Sequence, residues 1–304
     1  MTKISYVKNQ DIDYTKWDNC LVHSPNRQIY ATSWYLDHVA DRWGALVLGD
    51  YDFVMPLPIR KKWGISYVFH PKFSQQLGIF PVPTEEIAAM FYTKLQQTFR
   101  YFDTQINAKN PVGFLTENKI TISQRSNYLL PLNMNYAGLF SGYTANTRKN
   151  LRKAHKKNLV FVSGIRLEDY LKLKAENSWK KIGPTEWNTL KSLIAKGQYK
   201  GIGRICGIYT QENELCAAGY FCQYGNRVTF LNSVANEAGK KSEAMRMLID
   251  EFIKQNAGKN LILDFEGSMI PGIAFFFKGF GSYPETYFQL KYNRLPLLVR
   301  WIKR

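Results

Sequence analysis

One order of segments occurs twice along this 304-residue chain, and it restricts the fold more than any single motif does. In the first half, Ile4 to Lys8 alternates like a strand. Helical periods follow over Tyr14 to Val22 and Ser33 to Val39, the second opened by Ser33 as a candidate N-cap. Ala45 to Leu48 and Asp52 to Ile59 read as strands joined at Gly49-Asp50, with Pro56 and Pro58 marking the second as an edge or a strand end. Trp63 to Phe69 reads as a further strand. Thr84 to Thr98 sets Ile87, Met90, Phe91 and Leu95 on one helical face, and Tyr101 to Ile106 and Asn127 to Leu132 are strands again.

The second half restarts at Val160 to Ile165. Helices are expected over Leu167 to Ile182 and Glu186 to Lys196, and strands over Arg204 to Thr210, Leu215 to Gln223 and Arg227 to Ala235. Ser242 to Asn256 is an amphipathic helix with Met245, Leu248, Ile249 and Phe252 on its apolar face. Leu261 to Glu266 is a strand, Pro271 to Phe277 a short helix and Glu285 to Tyr292 a last strand. No sequence identity joins the halves. Their shared order of elements implies a mixed α/β fold of two tandem domains, each a mixed sheet flanked by helices. The expected division is 1–142 and 160–304, with a basic helix at 143–159 between them.

That helix carries the strongest local pattern. Arg148, Lys149, Arg152, Lys153, Lys156 and Lys157 recur as adjacent pairs every four residues, which at 3.6 residues per turn makes one basic stripe. Asn146 or Thr147 is placed to cap it, while Leu151 and Ala154 lie off the stripe and face protein. Like charges at this spacing repel, a cost that an anion lying against the stripe would offset. Arg148, Lys149, Arg152 and Lys153 are the expected anion-binding residues. The whole chain leans the same way, with 41 Lys and Arg against 24 Asp and Glu and a formal charge of +17. Such a balance attracts nucleic acid, phosphorylated cofactors, nucleotide-linked sugars or anionic lipid heads.

Other chemistries find no support. With 45% hydrophobic and 21% charged residues, the chain is too apolar for disorder. Met1 to Gln10 lacks the pattern of a signal peptide, and no segment has the apolar length to span a bilayer, so a cytoplasmic location is expected. Cys20, Cys206, Cys216 and Cys222 form no Cys-x-x-Cys pair and read as small apolar residues. With His23, His38, His70 and His155 they make no metal site. No Ser/His/Asp order, P-loop or dinucleotide fingerprint is present.

Two segments, N-T-R-K-N-L-R-K-A at 146–154 and L-D-F-E-G-S-M-I-P-G-I-A-F-F-F-K-G-F-G-S-Y-P-E at 263–285, resemble the FemAB-like branch of the GNAT acyltransferases. So does the order of elements in the second half. The resemblance implies two GNAT-like domains in one chain and transfer of an acyl or aminoacyl group to an amine. The donor would be acyl-CoA or acetyl-CoA as co-substrate, which is favoured, or aminoacyl-tRNA, or a carrier-bound acyl group. The acceptor would be a small-molecule or precursor amine, and no metal is implied. By the same resemblance Phe277 and Lys278 lie at the reacting centre. Acyl transfer to nitrogen creates an oxyanion and releases a proton. Lys278, behind Phe275, Phe276 and Phe277, would stabilise that oxyanion. Asp264 and Glu266, expected on one face of a strand end, would supply a carboxylate to take the proton or hold the ammonium. Donor binding would use the splayed strand end Ser233, Val234 and Ala235 and the following helix start through Gly239, Lys240, Lys241 and Ser242. Gly239 fits the usual phosphate loop; Lys241 stands where that loop has a small residue, and Glu237 adds a negative charge.

Two other functions fit the charge. One is a non-catalytic RNA-binding protein that uses the basic helix, although no RNA-binding signature accompanies it. The other is contact with a membrane surface through residues 295–304, where aliphatic residues, Trp301 and basic residues mix.

Overall fold

The computed structural model describes residues 3–117, 119–178, 182–267 and 269–296. Their strands are β1 (Ile4–Lys8), β2 (Trp43–Leu48), β3 (Phe53–Lys62), β4 (Ile65–Val68), β5 (Tyr101–Ile106), β6 (Thr121–Pro131), β7 (Val160–Ser163), β8 (Gly203–Tyr209), β9 (Leu215–Tyr224), β10 (Arg227–Ala235), β11 (Ile262–Asp264) and β12 (Tyr283–Asn293). Their helices are α1 (Tyr14–His23), α2 (Ser33–Val39), α3 (Glu85–Thr98), α4 (Tyr136–Ser141), α5 (Ala145–His155), α6 (Leu167–Asn177), α7 (Pro184–Tyr199), α8 (Glu237–Lys241), α9 (Ala244–Asn256) and α10 (Pro271–Lys278). The chain divides into two compact units, residues 1–125 with 286–304, and residues 126–285.

The strand order in unit 1 is β1-β2-β3-β4-β5-β12, and in unit 2 it is β7-β8-β9-β10-β11-β6. Directions match position by position. The first four strands of each run are antiparallel neighbours, the fourth and fifth are parallel, and the sixth is antiparallel to the fifth. Each unit places two helices between its first and second strands and further helix between its fourth and fifth. The duplication read from element order is therefore a duplication of sheet topology.

The units do not follow sequence order at their last strand. β6 comes after β5 in the chain but pairs with β11, and β12 comes after β11 but pairs with β5. The compact units therefore break at 125 and 285 rather than at the expected 142 and 160, and α5 lies within unit 2. Such an exchange is invisible to hydrophobic period, which reports an element's own faces but not its partner.

Each unit has its own core. In unit 1, Phe91, Tyr92 and Leu95 of α3 bury against Leu46, Leu57, Phe102 and Leu290. Thr84 caps α3 by accepting from the Ile87 amide, and Glu85 and Glu86 favour its first turn. Met90, expected on the inner face, is exposed; Ala88 and Tyr92 take that face instead. β3 is an interior strand, contrary to the reading of Pro56 and Pro58. The Val54 amide donates to Phe80 O and the Ile59 amide to Arg42 O. By alternation, both prolines turn their nitrogens away from β2, on the side that β4 meets only from Ile59 onward. Ser33 begins α2 rather than capping it, and its hydroxyl binds Asp18.

In unit 2, α9 buries Met247, Leu248, Ile249, Phe252 and Ile253, and Phe252 stacks on Phe221 of β9 at 3.8 Å between ring centroids. Cys206, Cys216 and Cys222 are buried there, and burial pushes all three thiols up, as it does Cys20 in unit 1, so none is poised as a nucleophile. No described helix is long and apolar enough to cross a membrane.

Candidate active site

In unit 2 the parallel pair β10 and β11 stays together for three residues only, Arg227–Thr229 opposite Ile262–Asp264. Beyond that point the two strands separate. Phe265 turns its amide to Tyr128 O of β6, while β10 continues to Ala235 alongside β9. The register against β9 shifts between Phe230 and Asn232, a bulge that bends β10 where the separation begins. From Phe230 onward, the edge of β10 turned away from β9 has no strand partner among the described residues.

Helix α6 supplies the groups at that edge. The Tyr170 hydroxyl donates to Asn232 Oδ1 at 2.6 Å, and Lys174 Nζ donates to Ser233 O at 2.8 Å. A strand residue projects its N–H and C=O to the same edge, so the Ser233 amide also faces the opening. Burial holds the Lys174 ammonium well below its ordinary pKa, at about 8, against the opposing pull of the Glu186 carboxylate. The arrangement places a backbone donor and a partly desolvated cation along one strand edge, where a carbonyl oxygen gaining charge would be stabilised.

The expected donor residues occupy this strand end and the turn after it. Ser233, Val234 and Ala235 complete β10. Gly239, Lys240 and Lys241 fall in α8, a helix of five residues, with Ser242 just beyond it. The Gly239 amide is taken by the Asn236 side chain at 2.8 Å, Lys240 pairs with Glu237 at 2.7 Å, and the Ser242 hydroxyl donates to Ala238 O. A Cβ at Gly239 would lie 2.1 Å from Cys216 O, so this glycine serves close packing on β9. Glu243, at φ +59°, then opens α9. Lys241 alone of the three polar residues is exposed with no hydrogen bond among the described residues, its charge acting on Glu237. A cleft of about 990 Å³ opens beside the end of β10, lined by Asp169, Leu173, Glu176, Tyr209, Glu214 and Asn236 among others. Three carboxylates against one ammonium, Lys172, make it a place for a cation rather than a phosphate.

The expected catalytic residues gather at the far end of β11. Phe277 is buried and stacks on Phe265 at 4.8 Å. Lys278 ends α10 and is exposed, its ammonium 5.6 Å from the Tyr128 ring centre. Phe275, expected as part of an apolar wall for Lys278, is 60% exposed. Asp264 and Glu266 do not share a strand face as expected. β11 stops at Asp264, which accepts from the Glu266 amide at 2.8 Å, and Glu266 adopts φ +56° in the turn. Asp264 is wholly buried and lies 3.1 Å from the Arg227 guanidinium, which also approaches Glu285 at 3.6 Å. Burial raises the Asp264 pKa, and Arg227 and then the Glu266 amide oppose the rise. Ser268 lies outside the described residues.

Helix α5 has the faces expected of it. Thr147, Leu151 and Ala154 are buried. Lys149, Arg152, Lys153, Lys156 and Lys157 are exposed, and Arg148 leans back to donate to Ser141 O at 3.2 Å. The cap is Thr144, which accepts from the Thr147 amide, rather than Asn146 or Thr147. None of the six cations pairs with a carboxylate among the described residues.

Tyr170, Lys174, Arg227 and Glu285 are the site residues that sequence reasoning missed. Tyr170 and Lys174 stand four apart on the α6 face that also buries Leu173, a spacing that would have flagged a polar contact toward the sheet.

No family model matches the sequence, and no curated protein matches it. Solved structures match its fold over nearly the whole chain. FemX superposes with a TM-score of 0.66 at 11% identity, covering 96% of this chain and 99% of that one. A conserved protein of unknown function from Bacteroides thetaiotaomicron gives 0.62 at 11% identity, over 95% and 99%. L-PGS from Bacillus licheniformis gives 0.58 at 12% identity, over 95% of each chain. The chain thus shares its fold with FemX and L-PGS over nearly its whole length.

Proposed function

We propose that the chain is an acyltransferase that moves an acyl or aminoacyl group from an activated ester or thioester on an anionic carrier to an amine. The observation that carries this reading is the opening between β10 and β11, with the Ser233 amide and the Lys174 ammonium turned into it. A donor carbonyl seated there meets both groups. Attack by the neutral amine forms the C–N bond and turns that oxygen into an oxyanion, which both groups stabilise better than the neutral carbonyl, and this lowers the barrier. The intermediate then re-forms the carbonyl and breaks the bond to the carrier's oxygen or sulfur, and the amine's proton passes through solvent to the departing atom. The carboxylate-lined cleft at the end of β10 suits an acceptor that arrives as an ammonium.

This reading moves the oxyanion role from Lys278 to Lys174. An exposed ammonium is screened by water, whereas a desolvated one acts at full strength. Phe277, Asp264 and Glu266 then hold the strand end in shape. For the carrier, the internal partners of Gly239, Lys240 and Ser242 favour aminoacyl-tRNA over acetyl-CoA or another acyl-CoA.

The test is mass-spectrometric detection of transfer to primary amines from acetyl-CoA, longer acyl-CoAs and aminoacyl-tRNA. The expected result is transfer from one donor class that Lys174→Met abolishes and Lys278→Ala leaves largely intact. If Lys278→Ala alone abolishes it, the role returns to Lys278. No transfer from any donor overturns the enzyme reading. The unpaired cations of α5 favour a second reading, a polyanion-binding protein without catalysis. Its mark would be RNA binding that weakens steeply with salt in a protein that transfers nothing.

A further inference from the structure

Helix α10 has an apolar face that the described residues leave exposed. It buries Phe277, yet Ile273 is 40% and Phe275 60% exposed, and Met269 and Ile270 just before it are 56% and 49% exposed. An apolar group of this kind on a soluble surface marks contact with something else. Its exposed cation is Lys278, which closes the helix; the Arg246 guanidinium, 4.7 Å over the Phe276 ring, is itself paired with Glu243 at 2.7 Å.

The basic helix meets α10 directly. The Thr144 amide at the start of α5 donates to Gly279 O at 3.0 Å, and a Cβ at Gly279 would lie 2.3 Å from Thr147 Oγ1. The exposed aliphatic residues of α10 and the exposed Lys149, Arg152, Lys153, Lys156 and Lys157 therefore sit on two helices joined end to end. Both turn their inner residues, Phe277 and Leu151, into the same core of unit 2.

We propose that this pair of helices docks unit 2 on an anionic lipid bilayer, α10 entering the headgroup boundary and α5 lying on the lipid phosphates. Interfacial binding of this kind needs both buried apolar area and attraction to anionic lipid, and neither anchors well alone. An RNA partner would use the cations but has no need of Met269, Ile270 and Ile273, since nucleic acid is held by charge and aromatic stacking. A protein partner would cover the apolar face but leave five exposed cations unneutralised. The inference stands apart from the proposed reaction, because docking is measured without turnover.

The experiment is sedimentation of the full-length chain with vesicles of phosphatidylcholine alone or containing one third phosphatidylglycerol. Binding to the anionic vesicles is expected, weaker by roughly tenfold or more on neutral ones. Ile273→Asp with Phe275→Asp, and separately Lys149→Glu with Arg152→Glu, should each weaken binding to a similar extent. All four positions are at the surface, so thermal melts should match the unaltered chain and exclude misfolding as the cause. Inorganic phosphate should not displace the protein from vesicles, which separates a bilayer from free phosphate as the ligand. The proposal is overturned by any of three results: no binding to anionic vesicles, binding that survives the α10 substitutions, or RNA binding unaffected by them with no vesicle binding.

Discussion

Lowering the pH should destabilise unit 1 through one buried imidazole. His70 Nδ1 accepts from the Gln105 amide at 3.2 Å, so its proton is on Nε2, which donates to Ser74 O at 2.8 Å. With both nitrogens engaged, the ring has no room for a second proton. Burial pushes its pKa from 6.5 down to about 4, against the Ser74 carbonyl and the Asp103 carboxylate, which pull the other way. The unfolded chain protonates His70 near 6.5 and the folded chain only near 4, so between these values the unfolded state holds more protons. Stability is therefore complete above pH 6.5 and is lost as the pH falls toward 4. The displacement is worth about 3 kcal/mol at 1.36 kcal/mol per pH unit, a ceiling because part of the ring edge reaches solvent. Urea unfolding at a series of pH values would measure it, comparing the chain with His70→Asn, which keeps an acceptor for Gln105 but cannot titrate. The two curves should diverge below pH 6.5, the unaltered chain falling faster. Parallel curves, or an imidazole NMR titration near 6.5, would refute the reasoning.

Other substitutions probe the second unit. Gly239→Ala forces α8 off Cys216 O and should cost about 1–3 kcal/mol, read as a lower melting temperature. Phe252→Ala removes the stack on Phe221 and should cost about 3–5 kcal/mol in urea unfolding. Asp264→Ala leaves the Arg227 guanidinium with Glu285 alone and should cost about 3 kcal/mol in urea unfolding, whereas Asp264→Leu with Arg227→Met and Glu285→Gln should recover most of it. If transfer is detected, its rate should fall as pH rises through about 8, where Lys174 loses its charge, and Lys174→Arg should flatten that limb.

Element type was largely legible in the sequence, because period reports directly on burial. β1, β5 and β10 have the bounds expected from it. What escaped was decided by distant partners. α4 is too short to show a period, yet its Tyr136 hydroxyl meets the buried Asp250 carboxylate at 2.9 Å, a polar residue that hydrophobic patterning places on no inner face. The candidate site shows the same division. The inward face of α5 was readable from pattern, and the family resemblance pointed to the end of β10 and to the Phe277–Lys278 turn. Lys174 was not, since its significance lies in a backbone carbonyl on a strand fifty-nine residues away. Residues 297–304, expected to touch membrane, lie outside the described residues.

The exchange of last strands also has a consequence for synthesis. A ribosome releases β5 long before β12, with all of unit 2 in between. At ordinary elongation rates of about 5–20 residues per second, the β5 edge waits roughly 10–40 s for its partner. β6 emerges first and offers a wrong one. An unpaired edge is an invitation to aggregate, so the half of this protein that is born first is the half finished last, and in the nascent chain it is the part most in need of a chaperone.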